Sequence, residues 1–269
     1  MVETDAMPAA GFADRQLEVE DLRIRYREAG QGDAVVCIHG AYGMRVSRMH
    51  ELLAAGYRVI VFELPGFGES PPDPAATSMR LLAASMNRAL CALKLGKYSL
   101  IGAGIGAKVA LWMALEQADR LRALVLLGPV AVVADASSVP ITPAQAIDLL
   151  YAHPERQAPA PTQSDAVRAR QEALLARMKA LMRDPDLPSR LRELTVPSLA
   201  LFGTKDRIAP PDDARLYRDL MPKCNLIFVY DAAHALDADR PEAVAEVVAD
   251  FLKRQDQFLV AAESALIHP

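Results

Sequence analysis

A chain of 269 residues with a formal net charge of −4 gives no electrostatic case for nucleic acid or for an anionic membrane surface. Its 52% of apolar residues can fill a sizeable core, yet the longest uncharged apolar run, Ala123 to Ala134, is too short to cross a bilayer. Cys37, Cys91 and Cys224 are odd in number and unevenly spaced, which reads as buried free thiols; with an acidic start, Met1 to Asp5, that lacks the regions of a secretory signal, a soluble, reducing, cytoplasmic setting is expected.

Up to about Asp14 the chain is polar and Ala/Gly-rich and is expected to be loosely held. Gln16–Glu20 and Leu22–Glu28 alternate apolar and polar, as half-buried strands do. Ala34–Ile38 is an unbroken apolar run, the mark of a central strand covered on both faces. A helix over Val46–Ala55 closes at Gly56, and Arg58–Glu63 is a buried strand stopped by Pro65 and Gly66. Thr77–Leu95 has helical period, Lys97–Ile101 is a strand, Ile105–Glu116 a helix, and Leu121–Leu127 a strand ended by Gly128-Pro129.

This alternation predicts a mostly parallel sheet with helices on both faces. It breaks between about Ala131 and Arg192, where prolines at 140, 143 and 154, the run Ala158-Pro-Ala-Pro-Thr162 and a helix over Gln171–Met182 replace it. There Met178, Leu181 and Met182 are read as either insertion core or pocket lining. The alternation resumes with a strand at Pro197–Gly203, a helix at Pro211–Leu220, a strand at Asn225–Tyr230 and a helix at Glu242–Arg254. The tail Gln257–Ile267 reads as one more short helix. Residues 1–130 and 192–269 are thus expected to form one core, and 131–191 an insertion.

Five motifs carry the functional reading. Ile38-His-Gly-Ala-Tyr-Gly43 follows a strand, as does Glu63-Leu-Pro-Gly-Phe-Gly-Glu-Ser70. Gly102 and Gly106 frame a sharp strand-to-helix turn whose tip is Gly104. Asp206 lies in Leu201-Phe-Gly-Thr-Lys-Asp206-Arg-Ile-Ala-Pro210, and His234 in Asp231-Ala-Ala-His234, followed by Asp239-Arg-Pro-Glu242. In this order and register they resemble the α/β-hydrolase superfamily over nearly the whole chain. The resemblance implies an eight-stranded, mostly parallel sheet, a helical cap made by the insertion, and Asp206 and His234 as triad acid and triad histidine. It also implies oxyanion-stabilising or substrate-binding groups at Gly40, Ala41, Tyr42 and Ile105. Two positions depart from the pattern: Glu63 stands for the usual Asp, and the elbow G-x-S-x-G has Gly104 where the serine belongs. The glycine-rich elbow also resembles that of the N-myc downstream-regulated proteins, a branch regarded as non-catalytic.

Without a hydroxyl at the tip, no acyl-enzyme can form there. Two functions stay open. His234, oriented by Asp206, is still a general acid or base, able to activate a water or move a proton on a small, largely apolar substrate in hydrolase or lyase chemistry. Alternatively the chain is a pseudo-hydrolase that binds or regulates, with Asp206–His234 a relic pair and Asp206 capping the following helix. Ser70 and Ser99 are poor substitutes, being in a separate turn and within a strand. Lys108 is expected to point away from the pocket, and His39 to support its loop. Tyr42 has two readings, pocket lining or an ordinary part-buried ring. His50 and His153 show no partner in the sequence. Neither function calls for a cofactor or metal; the expected partner is a small molecule, and nothing in the pattern sets an oligomeric state.

Overall fold

The computed structural model describes residues 11–132, 143–157, 164–180, 184, 186–258 and 266–267; at 143–146, 175, 177–180 and 266–267 only the backbone is described. The strands are β1 Ala13–Val19, β2 Leu22–Ala29, β3 Ala34–Ile38, β4 Arg58–Phe62, β5 Tyr98–Ala103, β6 Leu121–Leu127, β7 Ser198–Gly203, β8 Cys224–Val229 and β9 Leu266–Ile267. The helices are α1 Arg48–Leu53, α2 Met79–Ala92, α3 Ile105–Glu116, α4 Pro143–Leu150, α5 Asp165–Ala180, α6 Asp186–Arg190, α7 Ala214–Leu220, α8 Leu236–Asp239 and α9 Pro241–Arg254.

One sheet runs in the order β1-β2-β4-β3-β5-β6-β7-β8-β9. The β1–β2 and β2–β4 pairs are antiparallel, and every pair from β4 onward is parallel. β3 is buried at all five residues, because a parallel centre is covered on both faces. Successive side chains therefore enter different layers. Val36, Ile38, Leu100 and Leu124 pack with α2 and α3, whereas Val35, Cys37, Ile101 and Val125 pack with Met49, Val248 and Phe251 of α1 and α9. Each such fully buried aliphatic or aromatic side chain contributes roughly 1.5–3 kcal/mol. Helix α3 is buried almost all round, Lys108 included, as suits a helix between sheet and insertion. α9 begins with Pro241 at its first position, where the missing N–H has no helical partner to lose.

Several expectations need correction. Asp14 is not loosely held: β1 starts at Ala13, and the Asp14 carboxylate meets Arg25 at 2.9 Å and Arg27 at 3.1 Å. The tail is not a helix where it is described; Gln255–Gln257 is a 3-10 turn and Leu266–Ile267 pairs with β8 as a ninth strand. Cys37 is buried, but Cys91 is exposed and Cys224 intermediate. Cys91 faces outward from α2, against the Arg120 guanidinium at 3.0 Å. Leu181 and Met182 and the Met178 side chain lie outside the described residues. Among the described residues no helix is long and apolar enough to cross a membrane.

The described parts of 143–180 touch the loops that follow the parallel strands. Arg170 donates to the Gly68 carbonyl, and Leu174 sits over Gly66. Tyr151 accepts from Arg45 at 2.8 Å, and the Asp148 carbonyl from Arg207 at 2.7 Å. The three loops touched, those after β3, β4 and β7, lie at the carboxyl ends of strands, the edge where open α/β sheets bind ligands.

Candidate active site

The turn between β5 and α3 keeps the shape of an elbow. Gly104 has φ +53° and ψ −119°, a conformation that L side chains rarely adopt and that glycine reaches without strain. The glycines around it are set by close packing. A Cβ at Gly106 would lie 2.3 Å from the His39 carbonyl oxygen, and one at Gly102 2.7 Å from Ala107 Cα. Ile105 opens α3, so its N–H has no helical carbonyl to pair with and stays available at the tip.

His234 and Asp206, 28 positions apart, converge on this turn. His234 Nδ1 is 2.9 Å from Asp206 Oδ2, with side-chain exposures of 7% and 0%. The other carboxylate oxygen, Oδ1, accepts from the backbone N–H of Ile208 and Ala209, both at 2.8 Å. Asp206 therefore does not cap the helix that follows, whose N-cap is Asp213: one oxygen closes the 206–209 turn and the other holds the imidazole. A carboxylate at Nδ1 suits the tautomer with its proton on Nδ1, which turns Nε2 away from the acid. That nitrogen faces the bare elbow: a Cβ built on Gly104 would be 2.9 Å from Nε2, with Gly40 Cα at 3.7 Å.

Three groups that shape the site were not legible in the sequence as such. Gly128, at φ +50°, lets the pair lie close; a Cβ there would meet His234 Nδ1 at 3.1 Å and Asp206 Oδ2 at 3.3 Å. Tyr217 Oη donates to the Pro129 carbonyl and accepts from the N–H of Ala131 and Val132, which pins the loop after β6. Asp239 reaches back to the Ala233 N–H at 2.8 Å. In sequence Gly128-Pro129 read only as a strand stop, and Tyr217 carried no signal.

His39 supports its loop as expected. Its Nε2 accepts from Leu64 N–H at 3.0 Å, so Nδ1 donates to the Gly40 carbonyl at 2.6 Å. Burial pushes its pKa down to about 4. Gly40 is buried, Ala41 exposed and Tyr42 part-buried. The Tyr42 ring packs over Gly40 and lines an enclosed cavity of about 20 Å³ with Arg45, His50 and Asp237. Burial, then Asp237, raises its phenol well above the ordinary value. His50 is not without a partner: Ser47 N–H donates to its Nδ1 at 3.0 Å, and burial lowers its pKa. His153 pairs with Asp231 at 2.8 Å. Lys108 is wholly buried; desolvation lowers its pKa and Asp184 opposes that shift.

Glu63, at the position where the family pattern has Asp, closes its own turn. Its Oε2 accepts from Glu69 N–H, Ser70 N–H and Ser70 Oγ at 2.9–3.0 Å. Only glycine fits opposite, since a Cβ at Gly68 would lie 1.9 Å from Glu63 Oε1. Ser70 and Ser99 are both buried, and the Ser70 hydroxyl is taken up by Glu63 and Arg25 N–H. No cluster of three or more His, Cys, Asp or Glu side chains suited to a metal occurs among the described residues.

The sequence model of the alpha/beta hydrolase family matches residues 35–247, most of the chain. The chain belongs to the α/β-hydrolase family. Among curated members of this family, 2-hydroxy-6-oxo-6-phenylhexa-2,4-dienoate hydrolase of Comamonas testosteroni is 29% identical over 227 residues, covering 72% of this chain and 79% of that one. The 2-hydroxy-6-oxononadienedioate/2-hydroxy-6-oxononatrienedioate hydrolase 2 of Pseudomonas putida is 27% identical over 266 residues, covering 87% and 92%. Among solved α/β-hydrolase structures, the 2-hydroxy-6-oxo-6-phenylhexa-2,4-dienoate hydrolase of a Rhodococcus species superposes with TM-score 0.71 at 19% identity, covering 90% of this chain and 99% of its own. A serine hydrolase involved in carbazole degradation gives 0.68 at 24%, with the same coverages. These two likenesses establish the fold.

Proposed function

We propose that this α/β-hydrolase works without an elbow nucleophile. Asp206 orients His234, and His234 Nε2 moves a proton on a small, largely apolar substrate held under the insertion of residues 131–191, which serves as a cap. Backbone N–H groups at Ile105 and in the Gly40–Tyr42 loop stabilise the oxyanion that develops. The observation that carries this reading is the Nδ1–Oδ2 contact of 2.9 Å between two buried side chains, with Nε2 turned to Gly104. A buried carboxylate–imidazole pair costs desolvation unless its lone pairs are matched, and Asp206 has three donors in place. A base of this type accelerates proton transfer by ~10²–10⁴-fold.

The relatives' names narrow the substrate class to vinylogous enol-ketone acids with a 2-hydroxyl, a 6-oxo group and at least one carboxylate, more polar at that end than the apolar substrate expected from the sequence. In such a molecule base removes the hydroxyl proton, and the electron pair runs through the diene to C5, which takes a proton. This ketonisation needs acid/base groups and no nucleophile. Water then adds to the 6-oxo carbon, His234 taking its proton. Collapse of the adduct breaks C5–C6, releasing C6 as a carboxylic acid while the bond's electron pair passes through C4 and C3 to the C2 oxygen as a dienolate, which takes the proton back from His234. The test is to supply 2-hydroxy-6-oxo-dienoates and follow loss of the conjugated absorbance, with products resolved by mass spectrometry. Turnover that collapses in His234→Ala and Asp206→Asn supports the reading. Binding by thermal shift with no turnover, or turnover untouched by His234→Ala, overturns it.

One observation favours the second reading, a ligand-binding or regulatory pseudo-hydrolase. At 2.9 Å from a built Cβ, the imidazole occupies room that a nucleophile's side chain would need. Saturable binding in the absence of any chemical change to the ligand would establish that role.

A further inference from the structure

The segment 151–153, between α4 and a 3-10 turn at Pro154–Arg156, lies against the loop that carries His234. Ala235 N–H donates to the Leu150 carbonyl at 2.8 Å. Two residues on, Ala152 N–H donates to Asp239 Oδ2 at 2.9 Å. The same oxygen accepts from Ala233 N–H at 2.8 Å. Ala233 is the residue immediately before His234, so one carboxylate oxygen joins the insertion to the peptide that aims the imidazole. Asp239 can reach back because α8 is a single short turn, with Asp239 N–H bonded to the Ala235 carbonyl at 3.0 Å. A second tie runs alongside: His153 Nε2 meets Asp231 Oδ2 at 2.8 Å, and Lys205 holds the other Asp231 oxygen at 2.5 Å. Both ends of the stretch 231–239 are therefore gripped by residues 150–153.

We propose that Asp239 is a positioning residue: by bridging Ala152 and Ala233 it makes the direction of the His234 ring depend on how the insertion is seated. Losing this carboxylate leaves two part-buried N–H donors unpaired at once, one on each side, and frees the 233–234 peptide to turn. Unmatched buried donors cost more than the bond itself is worth, so both stretches open together. Substrate that presses on residues 143–157 would shift the base in the same movement. The inference rests on the reading of His234 as the working base, but its test reads the coupling directly.

The experiment compares Asp239→Ala with Asp239→Asn by hydrogen–deuterium exchange and by nitrogen-15 NMR of the histidine rings. Asparagine keeps an acceptor oxygen at the same reach; alanine does not. In Asp239→Ala, exchange over residues 148–153 and 231–236 should rise together by about tenfold or more, and in Asp239→Asn by no more than about threefold. The ring signals of His234 should move in the alanine variant and return in the asparagine variant, while those of His39 stay put. A rise confined to one stretch, or His234 signals unchanged in Asp239→Ala, overturns the proposal. Should Asp239→Ala not fold, Asp239→Ser takes its place with the same outcomes, since its shorter side chain cannot span both amides. Coupled exchange in a protein that turns nothing over would sink the proposed function and leave this inference standing.

Discussion

Two histidine loops face each other across the sheet's carboxyl edge, and they differ in what the ring nitrogens have left to give. In the loop after β3, His39 spends both nitrogens on backbone, one on the Gly40 carbonyl and one on Leu64 N–H. In the loop after β8, His234 spends one on Asp206 and turns the other to a residue with no side chain. Both rings are buried. Burial alone therefore does not mark a chemical histidine. A backbone-saturated ring is a fastener, while the carboxylate-backed ring turned to Gly104 is the one proposed above as a base.

The sharpest break of that contrast comes from removing each ring. His234→Ala should lower any turnover by ~10²–10⁴-fold with the fold intact. His39→Ala should instead cost ~2–4 kcal/mol of stability, because Leu64 N–H and the Gly40 carbonyl are left unpaired; activity and urea unfolding measured side by side separate the two. Similar losses of both quantities in both variants would dissolve the distinction.

Acid should find the fastener next. His39 has a pKa of about 4 in the fold against 6.5 in the open, so below 6.5 the unfolded chain takes up a proton that the native one refuses. Its contribution is whole above 6.5 and is lost as pH falls to about 4, on the order of 3–4 kcal/mol at about 1.4 kcal/mol per pH unit. His50, also lowered by burial, adds to the same slope. Urea midpoints across that window should show the fall, and His39→Gln should make it shallower; an unchanged slope would assign the titration elsewhere.

Gly104→Ser tests whether the base can still serve a hydroxyl. The side chain must enter a positive-φ turn and push back an imidazole 2.9 Å away, at a cost of ~1–3 kcal/mol. The wild type should resist a fluorophosphonate probe, and the folded variant should be labelled, with His234→Ala in the same background removing the gain. A folded but inert variant would mean the ring cannot retreat. The mildest intervention is Gly128→Ala, whose methyl group would meet His234 and Asp206 at 3.1–3.3 Å in a left-handed turn. It should cost ~1–2 kcal/mol and lower turnover by more than that loss explains; a drop in stability alone would show that the pair tolerates being prised apart.

The sequence made the middle of the sheet readable because its strands are covered on both faces, so apolar runs such as Ala34–Ile38 have one interpretation. The bounds of Ile105–Glu116 and Leu121–Leu127 coincide with those found. Edges fared worse. The pairing of Leu266–Ile267 with β8 is a contact between distant segments, and nothing in the local pattern of the tail distinguishes it from a helix. Cys91 was misplaced because helical period says which residues share a face, not how wide the buried stripe is. Of the site, Asp206 and His234 were legible from motif order. Asp239 was visible only as part of the motif after His234, without its partners, and Gly128 and Tyr217 had no assigned role, since each acts through a close approach made only when the loops meet.

The packing at Gly102 and Gly106 has a consequence for how such chains change over time. Carbonyl oxygens of β3 lie where a methyl group on Gly106 would be, and α3 itself blocks one on Gly102. These two positions answer to the seam between helix and sheet, whatever stands at the tip. Position 104 answers to chemistry and to one torsion angle. A side chain at the tip has to meet a positive φ and a nearby imidazole, whereas one on either side has to displace backbone, so the frame of an elbow is more tightly held than the residue at its tip. A search keyed to the glycines would recover relatives that a search keyed to the serine passes over.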